Sequence, residues 1–305
     1  MVTAVLKIIF IALFNLAAAL ALAPLLDGFM RRIKAVVHSR QGPPLLQTYY
    51  DLFKLFSKED REVTSDLVFR LTPVVCLGAV LLAALFTPMG GPAPLGFGGD
   101  LILLVYLLSI PGIAIMLGAM SSGSPYAMLG ASREMMLVLT VEPVLFITLF
   151  TAGIKANSLV LADITGWSVS HGWSISLVIA GLALLLALQS ELAKLPFDLA
   201  EAETEIMEGP FVEYSGPKLA LFKWAIYAKV VIYVSLFLEV FLPGPKTGIL
   251  VADLLINLVK VFIVVGLVEL IELVNPRLKI DQAINYFKGV AVLALIGLAF
   301  ALMGM

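Results

Sequence analysis

Seven carboxylates crowd into residues 191–216, ELAKLPFDLAEAETEIMEGPFVEYSG: Glu191, Asp198, Glu201, Glu203, Glu205, Glu208 and Glu213. They are about a third of the 22 acids in the chain, and Lys194 is the only basic residue among them. Like charges this close raise one another's pKa and leave protons on some carboxyl groups near neutral pH. A row of coupled carboxylates is what a proton relay needs. The same pattern also fits a solvated acidic loop, and the residues alone leave both open. Asp198, Glu201, Glu205 and Glu208 follow at three- and four-residue steps, so a helix here would carry them on one face, with Glu203 elsewhere. Asp198 and Glu201 have the spacing of a capping box. Pro196 ends the preceding run, and Gly209-Pro210 stops the turn from the other side.

These acids lie between long apolar runs. Hydrophobic residues make up 61% of 305 positions, 14% are charged, and mean hydropathy is +1.03. That composition predicts an all-α, polytopic membrane protein forming one domain over 1–305. The first run is too long for a cleavable leader and lacks a small-residue cleavage site. Eight runs are long enough to span, near 3–29, 68–88, 100–121, 134–154, 173–194, 218–241, 250–273 and 285–304. The acidic stretch then falls at 195–217, between the fifth and sixth. Arg31, Arg32, Lys34, Arg40, Lys54, Lys58, Arg61, Arg70, Arg133, Lys194, Lys218, Lys223, Arg277, Lys279 and Lys288 sort to one side of these spans. Lys7, Lys155 and Lys246 sort to the other. This asymmetry predicts a cytoplasmic acidic loop and outside termini.

The 30–67 connection carries both signs of charge. Within it Leu45, Tyr49, Leu52, Phe53 and Phe56 recur at helical spacing, with Asp51, Lys54 and Lys58 on other faces. That predicts an amphipathic helix over 45–57, lying on the membrane surface. Arg40-Gln41-Gly42-Pro43-Pro44 forces a turn before it and offers Arg40 to an acid from elsewhere. A second short segment, SSGSPYAMLGASREMM, brings Arg133 and Glu134 to the mouth of the fourth span.

Charges inside the spans are the other candidates. Glu142, followed by Pro143, lies two turns into the fourth span, Lys229 near the middle of the sixth and Lys260 near the middle of the seventh. A mid-helix charge costs on the order of 3 kcal/mol, so it faces protein, water or an opposite charge. Together with the acidic loop these three suggest a proton route, and Pro143 would loosen the helix at Glu142. Glu239 reads as a packing residue. Glu191, Glu269 and Glu272 lie near span ends, within reach of the interface. Cys76 is the single cysteine, and His38 and His171 stand far apart, so no metal site is expected. Neither a phosphate-binding nor a dinucleotide-binding glycine motif is present, and nothing points to nucleic acid.

PFDLAEAETEIMEGPFVEYSG at 196–216 resembles the acidic loop of membrane subunits from energy-converting group 4 nickel–iron hydrogenases, including formate hydrogenlyase. It is also similar to the quinone-cavity membrane subunit of respiratory complex I. Arg40-Gln41-Gly42-Pro43, Asp51-Leu-Phe-Lys54, Lys58-Glu59-Asp60, GASREMML and Val141-Glu142-Pro143 extend the resemblance from about Asp27 to Glu239. It implies a non-catalytic subunit in the cell membrane, coupling ion movement to hydrogen evolution elsewhere. The nickel–iron site and iron–sulfur clusters would lie in hydrogenase large and small subunits, beside antiporter-like membrane subunits, with no cofactor on this chain. It also implies a proton path through Asp198, Glu201, Glu203, Glu205, Glu208, Glu213, Glu134 and Glu142. Lys229 and Lys260 match no motif and rest on their depth alone. Two other readings stand beside it. A quinone-binding subunit would need a cavity between the amphipathic helix and the acidic loop, lined by Tyr49, Tyr50 and Phe53. A free-standing carrier is disfavoured because no inverted repeat is visible.

Single cysteines introduced at Asp60 and Glu205, in a Cys76→Ser background, are expected to react with membrane-impermeant reagents only from the cytoplasmic side. Labelling from outside at either position reverses the predicted topology.

Overall fold

The computed structural model describes residues 2–89, 93–96, 100–244 and 250–304, without the side chains of 2–5, 7, 203, 204, 250 and 251. Lys7, Lys246, part of the 87–99 loop and the side chain of Glu203 therefore lie outside the described residues. Within them the chain is helical, with no strand. The elements are α1 Val2–Val37, α2 Gln47–Phe56, α3 Leu67–Phe86, α4 Asp100–Ser121, α5 Pro125–Ala156 and α6 Leu161–His171. They continue as α7 Ile175–Glu191, α8 Glu203–Ile206, α9 Gly216–Phe241, α10 Leu250–Val274 and α11 Ile280–Leu302. Seven of these, α1, α3, α4, α5, α9, α10 and α11, are long and apolar enough to cross a membrane. The apolar α7 has 17 residues, at the short limit for a span, and takes the place of the fifth predicted run.

A helix apolar on every side belongs in the middle of a bundle. In α9 every residue from Val230 to Leu238 is buried, and α1, α3, α7 and α10 pack around it. A second core forms where α5, α7 and α11 meet, through Leu137, Val141, Val144, Ala183, Ala187, Phe287 and Val290.

Several boundaries differ from expectation. The first helix runs on to Val37, so Arg31, Arg32 and Lys34 ride on α1 rather than in the connection. The segment before the fourth span is helical, because Ser124 takes the N-cap position and Pro125 the first turn of α5. Arg133 and Glu134 thus stand on an established helix. α5 also continues through Pro143, so the proline does not interrupt it. Between the fourth and fifth runs an unanticipated helix, α6, is present.

The largest difference is the acidic stretch, of which only α8 is α-helical. Ala193, Met207 and Glu208 have φ of 50°, 55° and 69°, which no right-handed helix accommodates. The physical reason is apolar. Phe197, Leu199, Ala200, Ala202, Ile206, Phe211 and Tyr214 are all buried, and their spacing fits no single helical face. An irregular path buries them all, and the expected common face of Asp198, Glu201, Glu205 and Glu208 is not formed.

The loop is seated on the bundle at several points. Phe197 packs on Phe287 and Tyr286 of α11, ring centroids 4.6 and 5.1 Å away. Tyr214 stacks on Phe69 of α3 at 4.1 Å, and its hydroxyl lies 2.9 Å from that of Thr72. Ser215 Oγ donates to the Arg61 carbonyl at 3.0 Å, and Lys218 pairs with Asp60 at 3.1 Å and with Glu62. Lys218 and Arg70 hold the Glu62 carboxyl below its ordinary pKa. The 30–67 connection and the acidic loop therefore share one end of the bundle. Gly130 of α5 is a close seat for the loop, since a side chain there would meet the Pro210 ring and, at 3.0 Å, the Ala200 carbonyl oxygen.

Gly130→Leu is expected to cost about 1–3 kcal/mol by overpacking and to lift the loop. Limited proteolysis should then cut within 195–217, whereas the parent resists; equal resistance would show that the loop is not seated there.

Candidate functional site

The groups that could hold protons gather where α5, α7 and α9 meet beneath the acidic loop. Lys229 of α9 would be costly as an unpaired charge at its depth. Its Nζ lies 3.3 Å from Glu191 Oε2 at the end of α7, with side chains 17% and 8% exposed. Tyr233, one turn further along α9, donates to the same Glu191 oxygen at 2.7 Å. Glu134 of α5 is within electrostatic reach of both Lys229 and Glu191. Glu142, two turns along α5, feels the same two groups and has Ser109 of α4 close by. Three carboxyl groups face a single ammonium, so the cluster has excess acid and room to hold protons.

Glu201 connects this cluster to the loop. A cavity of about 30 Å³ is lined by Glu134, Glu191, Glu201 and Lys229, together with Ala200 and Pro210. That volume suits about one water molecule, and its polar walls supply the partners a water needs. Burial pushes the Glu201 carboxyl up to about 8, with Asp198 and Glu134 adding to the shift. Its proton is therefore exchangeable near neutral pH.

The other loop acids are paired rather than coupled in a row. Asp198 accepts from Arg277 at 2.8 Å, Glu205 from Arg133 at 2.7 Å, and Glu208 lies 3.9 Å from Lys223. Arg133 also donates to the Leu199 carbonyl at 3.3 Å, so it fastens the loop to α5. Glu213 is partly buried at the loop's end. Lys260 is not brought to the cluster. Its ammonium donates to the Leu242 carbonyl at 3.0 Å, capping the far end of α9, with Glu239 in electrostatic reach.

Around α2 the expected contacts are partly met. Asp51 accepts from Arg31 of α1 at 3.2 Å and from Gln47 at 3.0 Å. Arg31 also meets Asp27 at 2.8 Å and Tyr227 of α9 at 3.3 Å, while Thr48 donates to Asp27 at 2.8 Å. The Tyr49 hydroxyl donates to the Ala21 carbonyl, and burial raises its pKa. Tyr50 and Phe53 are 60% and 63% exposed, on the outside of α2 rather than facing the loop. Lys54 is exposed as well. Gly42 sits close against Ala35 of α1. Arg40 and Pro43 line an open pocket of about 430 Å³ with Arg31, Lys34 and His38. Sequence reasoning missed Tyr233 and Ser109, since a lone hydroxyl in an apolar run reads as packing. Tyr233 falls four residues after Lys229, a helical step that carries the signal in hindsight.

Known proteins share much of this sequence and fold. The chain is 39% identical to hydrogenase-4 component C of Escherichia coli strain K12, over 86% of this chain and 87% of that protein. It is 40% identical to formate hydrogenlyase subunit 4 of the same strain, over 86% of this chain and 88% of that one. A chain in the structure of the membrane-bound sulfane sulfur reductase, an archaeal respiratory membrane complex, superposes with a TM-score of 0.90 at 31% identity, covering 97% of this chain and 99% of that one. The NADH dehydrogenase family profile matches residues 8–302, nearly the whole bundle that frames the buried acids, and the chain belongs to that family.

Proposed function

We propose that this chain is the membrane anchor and proton-coupling subunit of a multisubunit nickel–iron hydrogenase complex of the formate hydrogenlyase kind. The observation that carries the proposal is the small cavity joining Glu201 of the loop to Glu134, Glu191 and Lys229 inside the bundle. The identity to two hydrogenase subunits supports it. In this reading the loop docks hydrogenase large and small subunits, which hold the nickel–iron site and iron–sulfur clusters. A change of charge there alters the field at Glu201. A carboxyl with its pKa near 8 responds to a modest field by taking up or releasing a proton. The cluster passes that proton toward Glu142, from which antiporter-like subunits would receive the coupling. The asymmetry of Lys and Arg supports placing the loop on the cytoplasmic side of the cell membrane.

A second reading, a quinone-binding subunit, is favoured by the family match, and an open pocket beside α1 is the place to look for its ligand. Arg31, Lys34, His38 and Arg40 make that pocket basic, which suits an anion better than an apolar quinone tail.

Burial favours protonated Glu201, so its contribution to loop seating is full below pH about 4.5 and declines as pH rises through about 8. A spin label in the loop should gain mobility across that window, and Glu201→Gln should flatten the response. A Glu201→Gln protein with the parent's pH dependence would refute the assignment.

Glu142→Gln is expected to leave hydrogen evolution from a soluble artificial donor within about twofold of the parent. Proton translocation by the assembled complex in vesicles should fall at least severalfold, in line with the usual contribution of a positioned acid or base. Translocation at the parent rate would sink the relay.

A further inference from the structure

Glu269 and Glu272 stand near the end of α10, where solvent is close, yet they are 1% and 7% exposed. One oxygen of each, Oε2, has no hydrogen-bond partner among the described residues. The same is true of Oε1 of Gln189, which is 3% exposed. Gln189 of α7 reaches this part of α10, its Nε2 donating to the Val268 carbonyl at 3.0 Å. Buried acceptors without donors are costly, and at the two carboxyl groups a bound proton would supply a missing donor.

The donors around them are few. Lys34 of α1 donates to Glu272 Oε1 at 2.9 Å. Lys194, just past the end of α7, stops 3.9 Å from Glu272 Oε2, beyond hydrogen-bond distance. Asp198 of the loop faces Lys34, and Arg277 beyond α10 bonds to Asp198. Glu269 and Glu272 are three residues apart on α10, a spacing that puts their carboxyl groups side by side on one face. An ionised carboxylate has only acceptors, so two buried neighbours with donorless oxygens can bond to each other only when one of them carries a proton.

We propose that Glu269 and Glu272 form a second proton-holding site, a carboxyl–carboxylate pair separate from the cluster of Glu134, Glu142 and Glu191. One shared proton and Lys34 leave the pair neutral, the state a dry site favours. Lys194 sets its occupancy. It belongs to the segment leading into the acidic loop and already pairs with Glu272 across 3.9 Å; a shift of about 1 Å would turn that contact into a charge-assisted hydrogen bond. The second carboxylate would then be balanced by Lys194, and the proton would leave. The site stands whatever complex the chain serves; only its use in energy coupling rests on the function proposed above.

Infrared difference spectroscopy on the full chain in its native membrane complex tests this. At neutral pH a deuterium-sensitive band of a buried protonated carboxyl group is expected, and Glu269→Gln should remove it. Lys194→Met, which leaves the pair intact, should let the band survive to higher pH by about one unit, the effect of losing a nearby cation. An unchanged spectrum in Glu269→Gln, or an unmoved titration in Lys194→Met, overturns the site. Loss of the band on adding sodium chloride at fixed pH also overturns it, since the acceptors would then be a cation site. None of these readouts depends on hydrogen evolution, so they fail or succeed independently of the hydrogenase assignment.

Discussion

An ammonium in the middle of an apolar helix must find a counter-charge, and the meeting of Lys229 with Glu191 is the constraint on which the rest of this site depends. It joins the buried centre of α9 to the end of α7, where the acidic loop begins. Once that pair is fixed, Tyr233 completes Glu191's hydrogen bonding, and the neighbouring Glu134 and Glu142 stand in a field set by one cation. The loop then has to close over charged groups. It does so with apolar residues and clamps, leaving a space of water size where Glu201 meets the interior.

That division of labour explains why the loop is irregular. A helix would have exposed half of its apolar residues in order to align its acids. The chain instead buries Phe197, Leu199, Ala202 and Ile206 and gives three of the acids basic partners of their own. What remains is not a row of equivalent carboxylates: Glu201 lines the cavity and differs from its neighbours in environment rather than in sequence.

Much of the fold is legible from composition alone, because about 20 apolar residues in a run have few other uses. The depth of Glu142 and Lys229 was also legible, since a charge in such a run stands out. Pairing was not. Lys260 and Lys229 look alike in sequence, but one caps a helix end and the other holds the cluster, a difference that depends on which helices touch. Glu269 and Glu272 mislead for the opposite reason. Nearness to a helix end suggests solvent, whereas both are buried and Lys34 bonds to Glu272. Spacing of acids along 198–208 points to a helix, whereas the apolar residues between them have no helical period.

Arg133 and Glu134 are consecutive on α5, about 100° apart around its axis. One is bonded to the loop through Glu205 and the Leu199 carbonyl; the other faces the buried cavity. The helix is thus geared to the loop by adjacent teeth. A pull on Leu199 and Glu205 would act on α5 off its axis, and any rotation it caused would move Glu134 relative to the cavity. Mechanical and electrical signals from the loop would then arrive at one carboxyl group along one rigid shaft.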